Sequence, residues 1–344
     1  MGGNLFSERR LNKSEFEEIS NEVFGILKTV CSFTSRKVSI IPYYYTKDSF
    51  GDLDILISGN TFEVDTLTAL FGDDVKYQYN GKVISFQYKK FQIDLIFISI
   101  KYFNSSLNYY SWNDLGNLLG RIFHKTGLKF GHKGLSLIVR EGDNHQLAEL
   151  FITENINEIL SLIGLDPLVF YRGFERKEDI FKYVVSSPYF NKKIYLLENR
   201  NHASRIRDKK RGTYSEFLDW IRDNDNLPEY PWKSLEERGG YRENKEWTEK
   251  IFKLYPESKK EYDIILEDLK IKKLIKSKFS GRLVKEITGL NNKFLGDFIL
   301  NLKEKTSKEE FDNFILITDP IEIMYWVDYE YRKLKVQNAI ITFK

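Results

Sequence analysis

A chain of 344 residues with 42% hydrophobic and 30% charged residues has a globular balance and room for two or three compact units. The net charge of +3 excludes a uniformly basic nucleic-acid coat, so any electrostatic footprint has to come from local clustering of cations. No run approaches the roughly 20 apolar residues that span a bilayer, and the lone Cys31 excludes an internal disulfide and a cysteine-based zinc site, which fits a reducing, cytoplasmic setting. The chain opens MGGNLF, with Phe6 where a myristoylation motif takes Ser or Thr, and no apolar signal core follows, so export is not expected.

Ser14 and Glu17 have the spacing of a capping box, and Phe16, Ile19, Val23, Phe24 and Leu27 recur at helical intervals, predicting a helix to about Lys28. From Lys37 to Phe103 the pattern turns to short strand-like runs at 38–45, 52–57, 76–79, 82–88 and 91–98, with a helix at 63–71. Asn80-Gly81 between the third and fourth runs is a two-residue hairpin signal of type I′. The sum is an α+β unit with a mixed, mostly antiparallel sheet. A helix is predicted at 113–124 and a strand at 135–139, and from Gln146 onward nearly everything reads as helix, at 148–163, 177–185, 214–223 and 247–254. The stretch 224–244, with Pro228, Pro231, Gly239 and Gly240, reads as a linker and sets a domain boundary.

The strongest local signal is Ser49-Phe50-Gly51-Asp52-Leu53-Asp54-Ile55-Leu56-Ile57, a turn entering an apolar strand through two aspartates. Side chains alternate along a strand, so Asp52 and Asp54 share a face while Leu53, Ile55 and Ile57 enter the core. Asp94 stands in a second apolar run, Phe91-Gln92-Ile93-Asp94-Leu95-Ile96, where a lone charge is costly unless paired or bound to metal. If the two strands are neighbours, the three acids form a site for divalent cations, Mg²⁺ or Mn²⁺ and two ions at full occupancy. The alternative is structural: Asp-x-Asp after Gly also caps turns, and Asp94 has Lys89, Lys90 or an arginine elsewhere as a candidate partner.

These segments resemble the catalytic signature of the DNA polymerase β nucleotidyltransferase superfamily, with Gly51 to Leu56 similar to the first motif and Gln92 to Ile96 to the third-aspartate strand. Tyr109-Tyr110, then Asp114, Asn117 and Arg121, then Gly127-Leu128-Lys129 resemble the nucleotide-binding stretch of family X DNA polymerases. The resemblance covers roughly residues 38 to 140. It implies that Asp52, Asp54 and Asp94 ligate the ions and that Tyr109, Tyr110, Asp114 and Asn117 line a nucleotide pocket, with Arg121 near the base pair. It also implies a palm-like catalytic unit at 1–103 and a thumb-like nucleotide-binding subdomain at 104–165. An amphipathic helix with a core aromatic pair is the competing account of the second stretch. In one respect the chain departs from the family: where Gly-Ser holds the triphosphate, it has Ile41-Pro42, and Pro42 has no N–H to donate. Either Thr46 and Lys47 take over the phosphates or triphosphate binding is altered or lost.

Residues 199–211 carry Arg200, Arg205, Arg207, Lys209, Lys210 and Arg211 against the single acid Asp208, a density suited to phosphate backbones, or alternatively a solvated basic helix. This basic segment is assigned to 166–227 and a helical carboxyl-terminal domain to 228–344. Within the latter, Phe279 to Leu290 and Gly296 to Leu302 resemble an element of CCA-adding tRNA nucleotidyltransferases and poly(A) polymerases. His124, His132, His145 and His202 lack metal-ligand spacing. The expected activity is transfer of a nucleoside monophosphate from a nucleoside triphosphate to an RNA or DNA 3′-hydroxyl, with pyrophosphate released. The alternatives are a protein or small-molecule acceptor, or a nucleic-acid-binding relative without turnover; oligomeric state is not legible.

Overall fold

In the computed structural model, which describes residues 5–6, 9–141, 145–237 and 245–342, the chain divides into units 1–258 and 259–344. The architecture is α+β. Five strands, β1 (Val38–Ile40), β2 (Asp52–Ser58), β3 (Tyr77–Asn80), β4 (Val83–Tyr88) and β5 (Phe91–Ile98), form a sheet in the order β1-β2-β5-β4-β3. Only the central β2–β5 pair is parallel. One face of the sheet buries Leu53, Ile55, Ile57, Ile93, Leu95 and Phe97 against α1 (Lys13–Phe33) and α2 (Val64–Phe71). The other face carries Leu56, Ile96 and Ile98 under α3 (Phe103–Tyr110), through Phe103, Leu107 and Tyr110. Helix α3 covers only the later part of the strands on this face, and ahead of it Asp52, Asp54 and Asp94 are half-buried while Gln92 is buried.

Helix α1 starts earlier than expected and runs past Lys28. Its capping box is Asn12 with Glu15, the Asn12 side chain accepting from the Glu15 amide at 3.0 Å and Glu15 accepting from the Asn12 amide at 3.1 Å, so Ser14 and Glu17 lie within the helix. The run at 38–45 is strand only to Ile40; beyond it Pro42 can only accept, and its carbonyl takes the Trp112 amide at 2.8 Å. In the hairpin Asn80 pairs with Val83, so the turn residues are Gly81 and Lys82. Positive φ is confined to Gly81 at +59°, the first central position, which matches the type II′ pattern and corrects the expected Asn80-Gly81 turn.

A second sheet follows α4 (Leu115–Lys125): β6 (Leu128–Gly131), β7 (Gly134–Glu141) and β8 (His145–Thr153), all antiparallel. The helix predicted at 148–163 is thus split, its first part being strand β8 and its second α5 (Ile156–Leu162), capped by Asn155 accepting from the Asn157 amide at 3.0 Å. β7 needs a partner for its second edge, and that tertiary demand outweighs a weakly helical apolar spacing. Helices α6 (Pro167–Arg172), α7 (Lys177–Val185), α8 (His202–Lys209), α9 (Gly212–Arg222) and α10 (Lys245–Leu254) complete the first unit.

The stretch read as a linker is fastened down over its described part. The Tyr230 amide donates to the Phe190 carbonyl at 2.8 Å, the Trp232 indole to the Tyr189 carbonyl at 3.1 Å, and the Glu237 amide to the Asn199 carbonyl at 2.6 Å. Residues 238–244, with Gly239 and Gly240, lie outside the described residues. The boundary expected at 227/228 falls inside the first unit, where Trp247 of α10 is buried and packs edge-on to Tyr189. After α11 (Pro256–Lys278), the second unit holds α12 (Gly281–Thr288), α13 (Asn292–Glu304), α14 (Lys308–Ile317) and α15 (Pro320–Thr342) around Phe279, Val284, Phe298 and Ile315. Gly289, in the left-handed region at φ +71°, ends α12. Among the described residues, no helix is long and apolar enough to cross a membrane.

Candidate metal centre

The parallel register of β2 and β5 makes Asp54 and Asp94 Cα partners and sets Asp52 opposite Gln92. Strand alternation then turns all three carboxylates to the face left open by α3, and oxygens from Asp52, Asp54 and Asp94 lie within 4.8 Å of one another. Such a trio is able to hold a metal ion. Burial, then the charges of Asp52 and Asp94, push the Asp54 carboxyl from 3.8 up to about 7, against a smaller opposing pull from Lys47. Among the described residues neither Asp54 nor Asp94 is ion-paired to a lysine or arginine. Asp94 instead receives the Gln92 side-chain amide, 3.0 Å from each of its oxygens. A cluster whose burial and mutual repulsion hold a proton near neutrality, built of hard oxygen donors, suits a hard divalent cation.

Asp52 and Asp54 form one wall of a cleft of about 580 Å³, with Asp94 beside Asp54 on the neighbouring strand, and four cations from separate segments, Arg10, Lys47, Lys177 and Arg211, also line it. Lys47 lies over the Phe50 ring at 4.6 Å and the Tyr43 ring at 5.6 Å. Desolvation lowers its pKa, offset in part by Asp52 and Asp54, and among the described residues it makes no ion pair. Arg10 is fixed by Ser49, its Nε 2.7 Å from the hydroxyl. Lys177, at the start of α7, pairs with Glu216 of α9, and Arg211 pairs with Asp114.

Several expected residues serve elsewhere. Thr46 lies outside the cleft lining, and its hydroxyl donates to the Glu175 carbonyl at 2.7 Å, so it is spent fastening the 43–47 loop to residues 172–175. Tyr110 lines the cleft, close enough to Asp54 for that charge to help raise its pKa, after burial and Tyr109. Tyr109 packs edge-on to Phe130 at 5.2 Å and over Gly116, where an added Cβ would lie 2.9 Å from its ring. Gly51 and Asp114 line the cleft; Asn117, Arg121, His124 and His132 do not. Arg121 reaches Glu237 at 3.4 Å.

Sequence reading passed over Asn113. It and Trp112 both take left-handed backbone, φ +60° and +62°, a conformation that costs non-glycine residues about 1 kcal/mol or more each. The turn brings Asn113 to the cleft, and its buried Oδ1 has no hydrogen-bond partner among the described residues. Arg10 and Lys177 had no local signal, being brought in by tertiary structure. Gln92 did: it lies two residues before Asp94, on the same strand face.

The basic segment separates into two kinds of cation. Arg200 is buried, its side chain 1% exposed, and it donates through Nε and Nη2 to Asp208 at 3.1 and 2.7 Å, which removes it from any contact with a ligand and corrects its expected role. Arg205 is half-buried, whereas Arg207, Lys209 and Lys210 are exposed. Arg207, Lys210 and Arg211 line a hollow of about 350 Å³ with Ala203 and Ile206, so Arg211 borders both this hollow and the carboxylate cleft. No protein-family model matches the chain, and no curated protein matches it either.

Proposed function

We propose that the chain is a divalent-metal-dependent nucleotidyltransferase that moves a nucleoside monophosphate from a nucleoside triphosphate to a nucleic-acid 3′-hydroxyl, releasing pyrophosphate. The observation that carries this reading is the convergence of three carboxylates, within 4.8 Å of one another, two of which line a cleft also lined by four cations. Asp52, Asp54 and Asp94 would hold Mg²⁺ or Mn²⁺. The bound ion supplies charge neutralisation at the reacting phosphoryl group and lowers the pKa of the attacking hydroxyl.

Phosphoryl-type transfer asks the protein chiefly for positioning and electrostatic stabilisation. Lys47, held over two rings beside Asp52 and Asp54, is the phosphate contact in a site where Pro42 has no N–H and Thr46 is engaged elsewhere. Lys177 and Arg10 add positive charge against the pyrophosphate leaving group. Tyr110 and Asn113 stand where the nucleoside would be oriented. Arg207 and Lys210, reached through Arg211, supply backbone phosphate contacts for the acceptor strand.

The test is incubation with α-labelled nucleoside triphosphates and Mg²⁺ on RNA and DNA primers, with and without template, and with a protein and a small-molecule hydroxyl as other acceptors. Extension of one primer type that disappears in Asp94→Asn is expected. Label on the protein or small-molecule acceptor alone would reassign the substrate, and no transfer to anything would remove the enzymatic reading.

A further inference from the structure

The geometry points to Gln92 as the positioning residue for Asp94, and to the Leu5–Phe6 segment as the element that holds Gln92 in its working orientation; this rests on the three aspartates being a metal site. Across the sheet, Asp52, Gln92 and Gln87 form one row, and Asp54, Asp94 and Ser85 form the next. Gln92 is only 4% exposed, so both ends of its amide need partners. Its Nε2 donates to the two oxygens of Asp94, each at 3.0 Å. Its Oε1 accepts the backbone amides of Leu5 at 3.0 Å and Phe6 at 3.3 Å. The neighbouring Gln87 closes the loop, its Nε2 donating to the Phe6 carbonyl at 2.6 Å.

An amide oxygen has two lone pairs, and the two backbone donors take both. The nitrogen is thereby committed to Asp94, and the carboxylate plane is set by a donor spanning its two oxygens. Without those backbone donors the side-chain amide is able to turn over and present its oxygen to a carboxylate, which orients nothing. Leu5 is 55% exposed and Phe6 half-buried, and both residues are tied to Gln92 or Gln87 through their backbone. Contacts made through such an outer layer commonly change metal affinity 10- to 100-fold.

Mn²⁺ binding to the full chain, followed by the electron paramagnetic resonance of the unbound ion without nucleotide, tests this in the natural chain, Gln92→Met and the double variant Leu5→Pro/Phe6→Pro. Proline removes the two donated N–H groups and keeps the Phe6 carbonyl position that accepts from Gln87. Gln92→Met is expected to weaken binding about 10- to 100-fold, and the double proline variant several-fold, with thermal unfolding showing both folded. Affinities within about twofold of the natural chain in both variants would overturn the inference; loss in Gln92→Met alone would keep Gln92 and overturn the role of the segment. Should Gln92→Met fail to fold, the proline variant decides. A natural chain that binds no Mn²⁺ would instead overturn the metal site itself, and this inference with it.

Discussion

Replacing Asp54 with Asn should make the metal-free protein more stable above neutral pH. The carboxyl titrates at about 7 in the folded chain against 3.8 for an ordinary aspartate, so between those values the folded state keeps a proton that the unfolded state has lost. A carboxyl whose folded pKa is raised favours folding most at low pH, and that contribution is lost as pH rises towards 7. At about 1.4 kcal/mol per pH unit, the interval is worth at most about 4 kcal/mol. Asp54 faces an open cleft where water screens the repulsion, so we expect about 1–2 kcal/mol. Urea unfolding in a chelator, from about pH 4 to pH 8, measures it. The natural chain should lose stability over this range relative to Asp54→Asn, and Mg²⁺ should restore it at the upper end by replacing the proton. Equal pH profiles for the two proteins would refute the burial and crowding of negative charge on which the metal reading rests.

Other substitutions separate the parts of the site. Asp94→Asn should cut nucleotidyl transfer by about 10²–10³-fold or more in steady-state assays while the fold persists. Lys47→Met should raise KM for the triphosphate about 10- to 100-fold, the value of a charge-assisted hydrogen bond, with a smaller change in kcat. Arg200→Ala leaves Asp208 and Glu237 as buried charges and should cost about 3–5 kcal/mol in urea unfolding. Lys210→Ala should instead leave stability nearly unchanged and flatten the salt dependence of nucleic-acid binding by about one unit of slope. At Gly173, φ is +82° and a Cβ would sit 2.3 Å from the Tyr45 hydroxyl, so Gly173→Ala should destabilise by about 2–4 kcal/mol and loosen the 43–47 loop, seen as faster proteolysis there.

The carboxylate site was readable because strand periodicity acts over two residues: Asp52 and Asp54 on one face of an apolar run and Asp94 alone in another are visible without any tertiary knowledge. What was not readable is the register. Only the parallel pairing of β2 with β5 puts Asp54 beside Asp94, and no local signal encodes which strands are neighbours. The same distinction explains the errors. Thr46 and Lys47 are adjacent in sequence, yet a loop 129 residues away takes the threonine hydroxyl and leaves the lysine to the cleft. Arg200 and Arg207 look alike in composition and both reach Asp208, but Arg200 precedes the Asn201 cap of α8 and is buried, while Arg207 keeps about half of its side chain exposed. β8 looked helical because its apolar residues do not alternate cleanly; its identity comes from β7, which pairs along its length. Ser14-Glu17 and Asn80-Gly81 fail differently, each displaced by a residue or two from the true cap and turn, an offset that local chemistry leaves open.

The most direct measurement is anomalous diffraction from crystals grown with Mn²⁺ and a non-hydrolysable nucleoside triphosphate. Anomalous peaks bounded by Asp52, Asp54 and Asp94, with the phosphates reaching Lys47, are the predicted result. Carboxylates that bind no Mn²⁺, or a triphosphate bound away from them, would contradict the account.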